Sequence, residues 1–133
     1  MILADSSVLI DLLEKTPDWF EWSSNALYTA SKGDQLAINA VIFAEISRSF
    51  ASYAGQNMFL KATGILFVSI PAQASYLAAQ AHRKFRDAGG AKLSTLPDFF
   101  IGAHAQATNS KLITRDAVRI QTYFPDVQTI SPH

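Results

Sequence analysis

The sequence predicts an α/β fold: a single domain, residues 1–133, built on a parallel sheet wrapped by helices. Three observations carry that expectation. Short β-like runs alternate with longer helical patterns from end to end, the βα order of parallel sheets. Glycines and a proline punctuate the ends of the helical runs. And 49% of the 133 residues are apolar, enough to bury one core, yet no apolar run approaches the length of a membrane span.

The elements follow in order. MILA (1–4) is the first strand, and a helix starts at Ser6. A second helix lies within PDWFEWSSNALYTASKG (17–33), with Gly33 where a C-terminal cap is wanted. QLAIN (35–39) is the second strand, followed by a helix through Glu45 and another in QNMFLKATG (56–64), which ends on Gly64. ILFVSI (65–70) is the third strand, and the helix from about Ala72 runs toward the Gly89-Gly90 pair. The glycines and short polar residues of DAGGAKLSTLP (87–97) predict a mobile loop. Pro97, suited to a first helical position, opens a helix reaching about Thr108. KLIT (111–114) is the fourth strand, the helix from Asp116 ends at Phe124 before Pro125, and VQTI (127–130) is the last strand.

Composition excludes several classes of function. Without cysteine there is no disulfide framework and no thiolate metal site, so any metal ligands are oxygen or imidazole. The N-terminus lacks the basic flank and cleavage site of a secretory signal, so a cytoplasmic protein with no membrane association is expected. Eleven basic residues balance eleven acidic ones, which speaks against a nucleic-acid partner unless a bound cation supplies positive charge locally.

Against that background, four single acids stand in apolar surroundings: Asp5 in MILADSSVLI, Glu45 in VIFAEISRSF, Asp98 in LPDFFIGAHA and Asp116 in LITRDAVRI. Asp5 and Asp116 fall just past strands, at the end of a parallel sheet where ligands bind. Asp98 opens the helix that feeds the KLIT strand, and Glu45 lies about two turns into its helix, so both are in reach of the same rim. Each has a purely structural alternative. Asp5 and Asp116 are suitable N-caps, Asp98 complements a helix dipole, and Glu45 has Arg48 one turn on as an ion-pair partner. Together they favour a shared acidic site, whose mutual repulsion raises at least one pKa and is relieved by a hard divalent cation. The remaining acids, Asp11, Glu14, Asp18, Glu21, Asp34, Asp87 and Asp126, lie beside polar residues or turns and read as solvated surface.

Other chemistries find less support. His82, His104 and His133 have no metal-ligand spacing, and they read as surface or helix-packing residues. There is no glycine-rich phosphate loop. A dehalogenase-type phosphatase needs an acid where Ser7 stands, and a receiver domain needs a phosphoacceptor acid that ILFVSIP lacks. The basic end of QASYLAAQAHRKFR, with His82, Arg83, Lys84 and Arg86, reads either as a solvated helix end or as a weak contact for a phosphate backbone, and Arg115 beside Asp116 is a further weak contact of that kind. The aromatics of PDWFEW read as core, with some available to a partner helix.

ILADSSVLID, NAVIFAEISR, LPDFFIGAHA and LITRDAVRIQTYFP resemble the successive blocks of PIN domains, closest to VapC-type toxins of toxin–antitoxin operons. The resemblance spans nearly the whole chain and keeps the order and spacing of the family's four acids. It implies a three-layer domain with strand order 3-2-1-4-5 and a Mg2+- or Mn2+-dependent endoribonuclease that leaves 5′-phosphate and 3′-hydroxyl ends. By the same resemblance Asp5, Glu45, Asp98 and Asp116 form the catalytic cluster, with Asp5, Asp98 and Asp116 as metal ligands. Ser6, often threonine in the family, keeps the hydroxyl that supports the site. A homodimer, an RNA substrate and a cognate antitoxin whose C-terminal segment blocks the site are implied as partners. The alternative is a PIN-like module, weak in catalysis, that binds RNA or protein.

Overall fold

The computed structural model describes residues 1–90 and 96–132; residues 91–95 of the loop expected at 87–97, and His133, lie outside the described residues. Five strands form one parallel sheet: β1 (Ile2–Ala4), β2 (Leu36–Ile38), β3 (Leu66–Phe67), β4 (Lys111–Ile113) and β5 (Thr129–Ile130), in the order β3-β2-β1-β4-β5. The helices are α1 (Ser6–Glu14), α2 (Phe20–Gly33), α3 (Ala40–Ile46), α4 (Tyr53–Thr63), α5 (Ala72–Asp87), α6 (Leu96–Ala107) and α7 (Ala117–Tyr123). α5 packs closely on α6, and α1 on both α2 and α3.

β1, β2 and most of β4 are buried, which is why they read as unbroken apolar runs instead of alternating ones. β3 and β5, at the edges, are shorter than the apolar stretches around them. Leu66 and Phe67 pair with Ala37 and Ile38 of β2, and both are about half exposed, at 50% and 52%.

Helix boundaries shift for local reasons. α2 fills the expected stretch from Phe20 on, because Lys15 and Asp18 adopt positive φ (50° and 70°) and turn the chain first. α4 starts at Tyr53 because the Ser52 hydroxyl accepts from the Gly55 amide at 3.0 Å, a cap that apolar periodicity does not reveal. Gly64 adopts the left-handed conformation expected of it (φ 73°), whereas α2 runs through Gly33 and ends on an extended Asp34.

α6 explains its own greasy sequence. Phe99, Ile101, Gly102, Ala103, His104 and Ala105 are all buried, so the helix is covered nearly all round. Phe99 centres an aromatic cluster with Phe85, Tyr123 and Phe124, its ring centroid 5.2 Å from that of Tyr123. At Gly102 an added Cβ would lie 2.5 Å from the Phe124 ring and 3.2 Å from Ile120, so α6 and α7 approach at a point without a side chain. That contact sets the spacing between Asp98 on α6 and the residues of α7.

Candidate active site

The strand order reverses between β1 and β4, and four acids from four different elements gather around the carboxyl ends of those strands. β1 and β4 pair in register, Ala4 opposite Ile113, and the Asp5 amide continues the ladder to the Ile113 carbonyl at 2.9 Å. Asp116 ends the short link from β4 to α7, and Asp98 stands in the first turn of α6. A cavity of about 220 Å³ opens there, with Asp5, Asp98, Asp116, Thr114 and Arg119 in its wall. Glu45, near the end of α3, does not line it and joins through Ser6, whose hydroxyl donates to Glu45 Oε1 at 3.0 Å and stands 3.4 Å from Asp5 Oδ1.

The capping alternative can now be weighed. Asp5 and Asp116 occupy the N-cap positions of α1 and α7, yet neither side chain makes a capping hydrogen bond. Asn39 shows what a cap looks like in this fold, its Oδ1 accepting from the Ile42 amide at 3.0 Å. Asp5 Oδ2 instead accepts from the Thr114 hydroxyl at 2.7 Å and the Ser7 hydroxyl at 2.9 Å. Thr114 Oγ1 in turn accepts from the Asp116 amide at 3.1 Å, linking the two acidic loops. Nor does Glu45 take Arg48, which pairs with Glu14 at 3.1 Å.

Burial, then the nearby carboxylates, pushes two of these acids up. Glu45 lies above the usual carboxylate range because it is half-buried and faces Asp5 and Asp98, although the Ser6 hydrogen bond offsets part of this. Asp98 is raised by burial first and next by Asp5, then Asp116, against the lowering effect of Arg119. Asp98 therefore feels the charges of Asp5 and Asp116, and Glu45 those of Asp5 and Asp98, as unrelated caps would not.

Arg119 apart, the polar side chains of the cavity wall carry oxygen donors of the kind that hard divalent cations take. Among the described residues, however, no three acidic, histidine or cysteine side chains are gathered as they stand to hold one metal ion. Asp98 is turned to Arg119 instead, with Arg119 Nη1 donating to Asp98 Oδ2 at 3.0 Å.

The basic residues fall in two places. Arg83, Lys84 and Arg86 are exposed on the last turns of α5, away from the acidic cavity, though Phe85 among them lies under Arg119, 5.2 Å from its guanidinium. Arg115 turns inward, 2.8 Å from Asp11 Oδ2 and stacked on Trp19 at 4.9 Å. This also corrects the reading of Asp11 as a surface acid. It is fully buried, accepting a 2.7 Å hydrogen bond from Ser23, because its partners come from α2 and from the loop after β4, far away in sequence. His104 is a helix-packing residue: it is buried, its Nδ1 is 3.0 Å from Asn39 Nδ2, and desolvation lowers its pKa. With Asn39 Oδ1 committed to the Ile42 amide, the amide nitrogen donates and the imidazole is neutral.

Ser7, Thr114 and Arg119 were not singled out as site residues from the sequence. Thr114 precedes Asp116 by two residues and Arg119 follows it by three, about one helical turn, which is the signal that was present.

Family comparison matches the PIN-domain model over residues 2–124. The chain belongs to the PIN-domain family. Among solved structures this PIN domain is similar to VapBC2 from Rickettsia felis bound to a promoter DNA fragment, with a TM-score of 0.73, 20% identity and all of both chains covered. It is also similar to a toxin–antitoxin complex from Klebsiella pneumoniae, with a TM-score of 0.68, 20% identity, and 100% of this chain and 98% of that one covered. FitAcB from Neisseria gonorrhoeae gives a TM-score of 0.63 at 20% identity over 99% and 98% of the two chains. At such identities the likeness establishes the fold. Curated protein sequences give no match. Among the described residues no helix is long and apolar enough to cross a membrane.

Proposed function

We propose that this PIN domain is a divalent-metal-dependent endoribonuclease and the toxin of a VapBC-type toxin–antitoxin pair. The observation that carries the reading is the convergence of Asp5, Glu45, Asp98 and Asp116 at the switch point of a PIN fold, with Glu45 and Asp98 raised in pKa by burial and then by neighbouring carboxylates. Asp5, Asp98 and Asp116 are the residues that hold Mg2+ or Mn2+. When bound, the cation would supply the positive charge that draws a phosphodiester to an acidic cavity and the Lewis acidity that hydrolysis by water needs. Thr114 and Ser7 orient Asp5, and Ser6 fixes Glu45 against it, so the carboxylates are positioned before substrate arrives. Arg83, Lys84 and Arg86 offer contacts to the RNA backbone beyond the cavity; Arg115, tied to Asp11, reaches it only by leaving that pair. The neighbours that are toxin–antitoxin complexes support an antitoxin partner, and a homodimer and a cytoplasmic location go with that reading.

Cleavage of structured RNAs in Mg2+, Mn2+ or EDTA tests the activity. Asp98→Asn is expected to lose nearly all metal-dependent cleavage with the fold intact, whereas Asp87→Asn, at an exposed position on α5, is expected to be silent. Wild-type rates in Asp98→Asn overturn the site. Growth arrest on expression, relieved by co-expressing the product of the neighbouring small reading frame, tests the biology.

A module that holds RNA or protein with little catalysis is the second reading. The Asp98–Arg119 pair, which takes one acid out of the cluster, is the observation on its side. Metal-independent RNA binding without cleavage would favour it.

A further inference from the structure

Arg119 stands inside the acidic cavity, and the mechanism above leaves it without a task. Its guanidinium reaches Asp98 Oδ2 at 3.0 Å from the first turn of α7 and rests over the faces of Phe85 and Phe99, at 5.2 and 6.0 Å. Its side chain is 32% exposed, so the head group is within reach of solvent and of a ligand in the cavity. One guanidinium here meets three carboxylates of the same cavity wall, Asp5, Asp98 and Asp116, and bonds only Asp98. The pair is therefore an incomplete neutralisation, and a doubly charged ion at the carboxylates would compete with it. A chain with no net charge also needs a local cation to meet a phosphate, and a planar guanidinium already resting on two aromatic faces suits that task.

We infer that Arg119 is a built-in counter-cation, holding Asp98 in the metal-free protein and passing to a phosphate of the substrate strand when a divalent cation takes Asp98. The inference rests on the ribonuclease reading for the identity of its substrate, but its first half stands on the ion pair alone. No bond is made or broken; one salt bridge is exchanged for another.

The first test is Mn2+ binding by calorimetry to the full chain. Arg119→Gln keeps the stem over the two rings and removes the charge, so it is expected to bind Mn2+ about fivefold more tightly, the scale of a partly exposed ion pair. Arg119→Lys, which keeps the charge, is expected to stay near wild type. Unchanged or weaker Mn2+ binding in Arg119→Gln overturns the counter-cation assignment.

The second test is fluorescence anisotropy of a labelled single-stranded RNA oligonucleotide at saturating Mn2+. It is done in a Glu45→Gln background, which leaves Asp98 and Arg119 in place. Losing one phosphate contact should reduce the slope of log affinity against log salt by about 0.7. A slope that Arg119→Gln leaves unaltered overturns the transfer to phosphate. Wild type that binds Mn2+ but cleaves no RNA overturns the ribonuclease reading and not the ion-pair competition, whereas wild type that binds no Mn2+ overturns both.

Discussion

At the scale of single residues, the site is defined by what its carboxylates do not do. Asp5 and Asp116 sit where caps sit and do not cap, and Glu45 ignores the arginine one turn away. The raised pKa of Asp98 gives a signed expectation. Between the ordinary carboxylate value and the raised one, the folded protein holds more protons than the unfolded chain, so stability falls as pH rises through that window. Asp98→Asn is not subject to this loss. In EDTA it should melt above wild type at neutral pH, and the advantage should vanish as the pH drops below about 3, where the carboxyl is protonated in both states. Thermal unfolding across that range checks it; an offset that does not change with pH contradicts the charge crowding. Glu14 titrates in the opposite sense, lowered by the Ser49 hydrogen bond and then by Arg48, so its contribution is present above the ordinary value and lost as pH falls through the lowered one. The buried Asp11 gives a second expectation. Asp11→Ala strands the Ser23 hydroxyl and frees Arg115, at a cost of about 1–3 kcal/mol in chemical denaturation.

Elements place these residues through helix packing more than through loops. α6 carries Asp98 because it is the most thoroughly buried helix, locked by Phe99 in its aromatic cluster and by the close approach at Gly102. Gly102→Ala is expected to destabilise by about 1–3 kcal/mol through overpacking, since helix propensity alone favours alanine. Because the clash falls on Phe124 and Ile120 of the α7 end, it also shifts α7 and hence Arg119 relative to Asp98. Urea unfolding with a measured Mn2+ affinity separates the two effects; a variant more stable than wild type would show that the interface has room. Element boundaries were the least legible part of the sequence. Ser52 and the left-handed Lys15 and Asp18 decide where α4 and α2 begin, and hydrophobic periodicity registers none of them.

For the whole molecule, a cation that binds only the folded state should raise stability by about 2.7 kcal/mol at a hundredfold excess over its dissociation constant. Wild type is expected to show this gain with Mg2+ or Mn2+, and Asp98→Asn to lose most of it. Capping predicts no dependence on metal, so a wild type whose melting temperature ignores both ions would return Asp98 to the role of a helix-start residue.

The βα alternation, the buried central strands and the four acids in apolar settings were legible from the residues alone, because burial on both sheet faces leaves continuous apolar runs in which a lone carboxylate is conspicuous. The PIN resemblance added the strand order that the sheet shows. Only the tertiary structure decided which polar residues complete the site. Asp11 looks solvated until Arg115 and Ser23 reach it, Arg48 looks available until Glu14 claims it, and Arg119 looks like an ordinary helix cation until α6 brings Asp98 to it. In each case the partner lies more than ten residues away, and a charged side chain's environment is set by such partners more than by its neighbours in the chain.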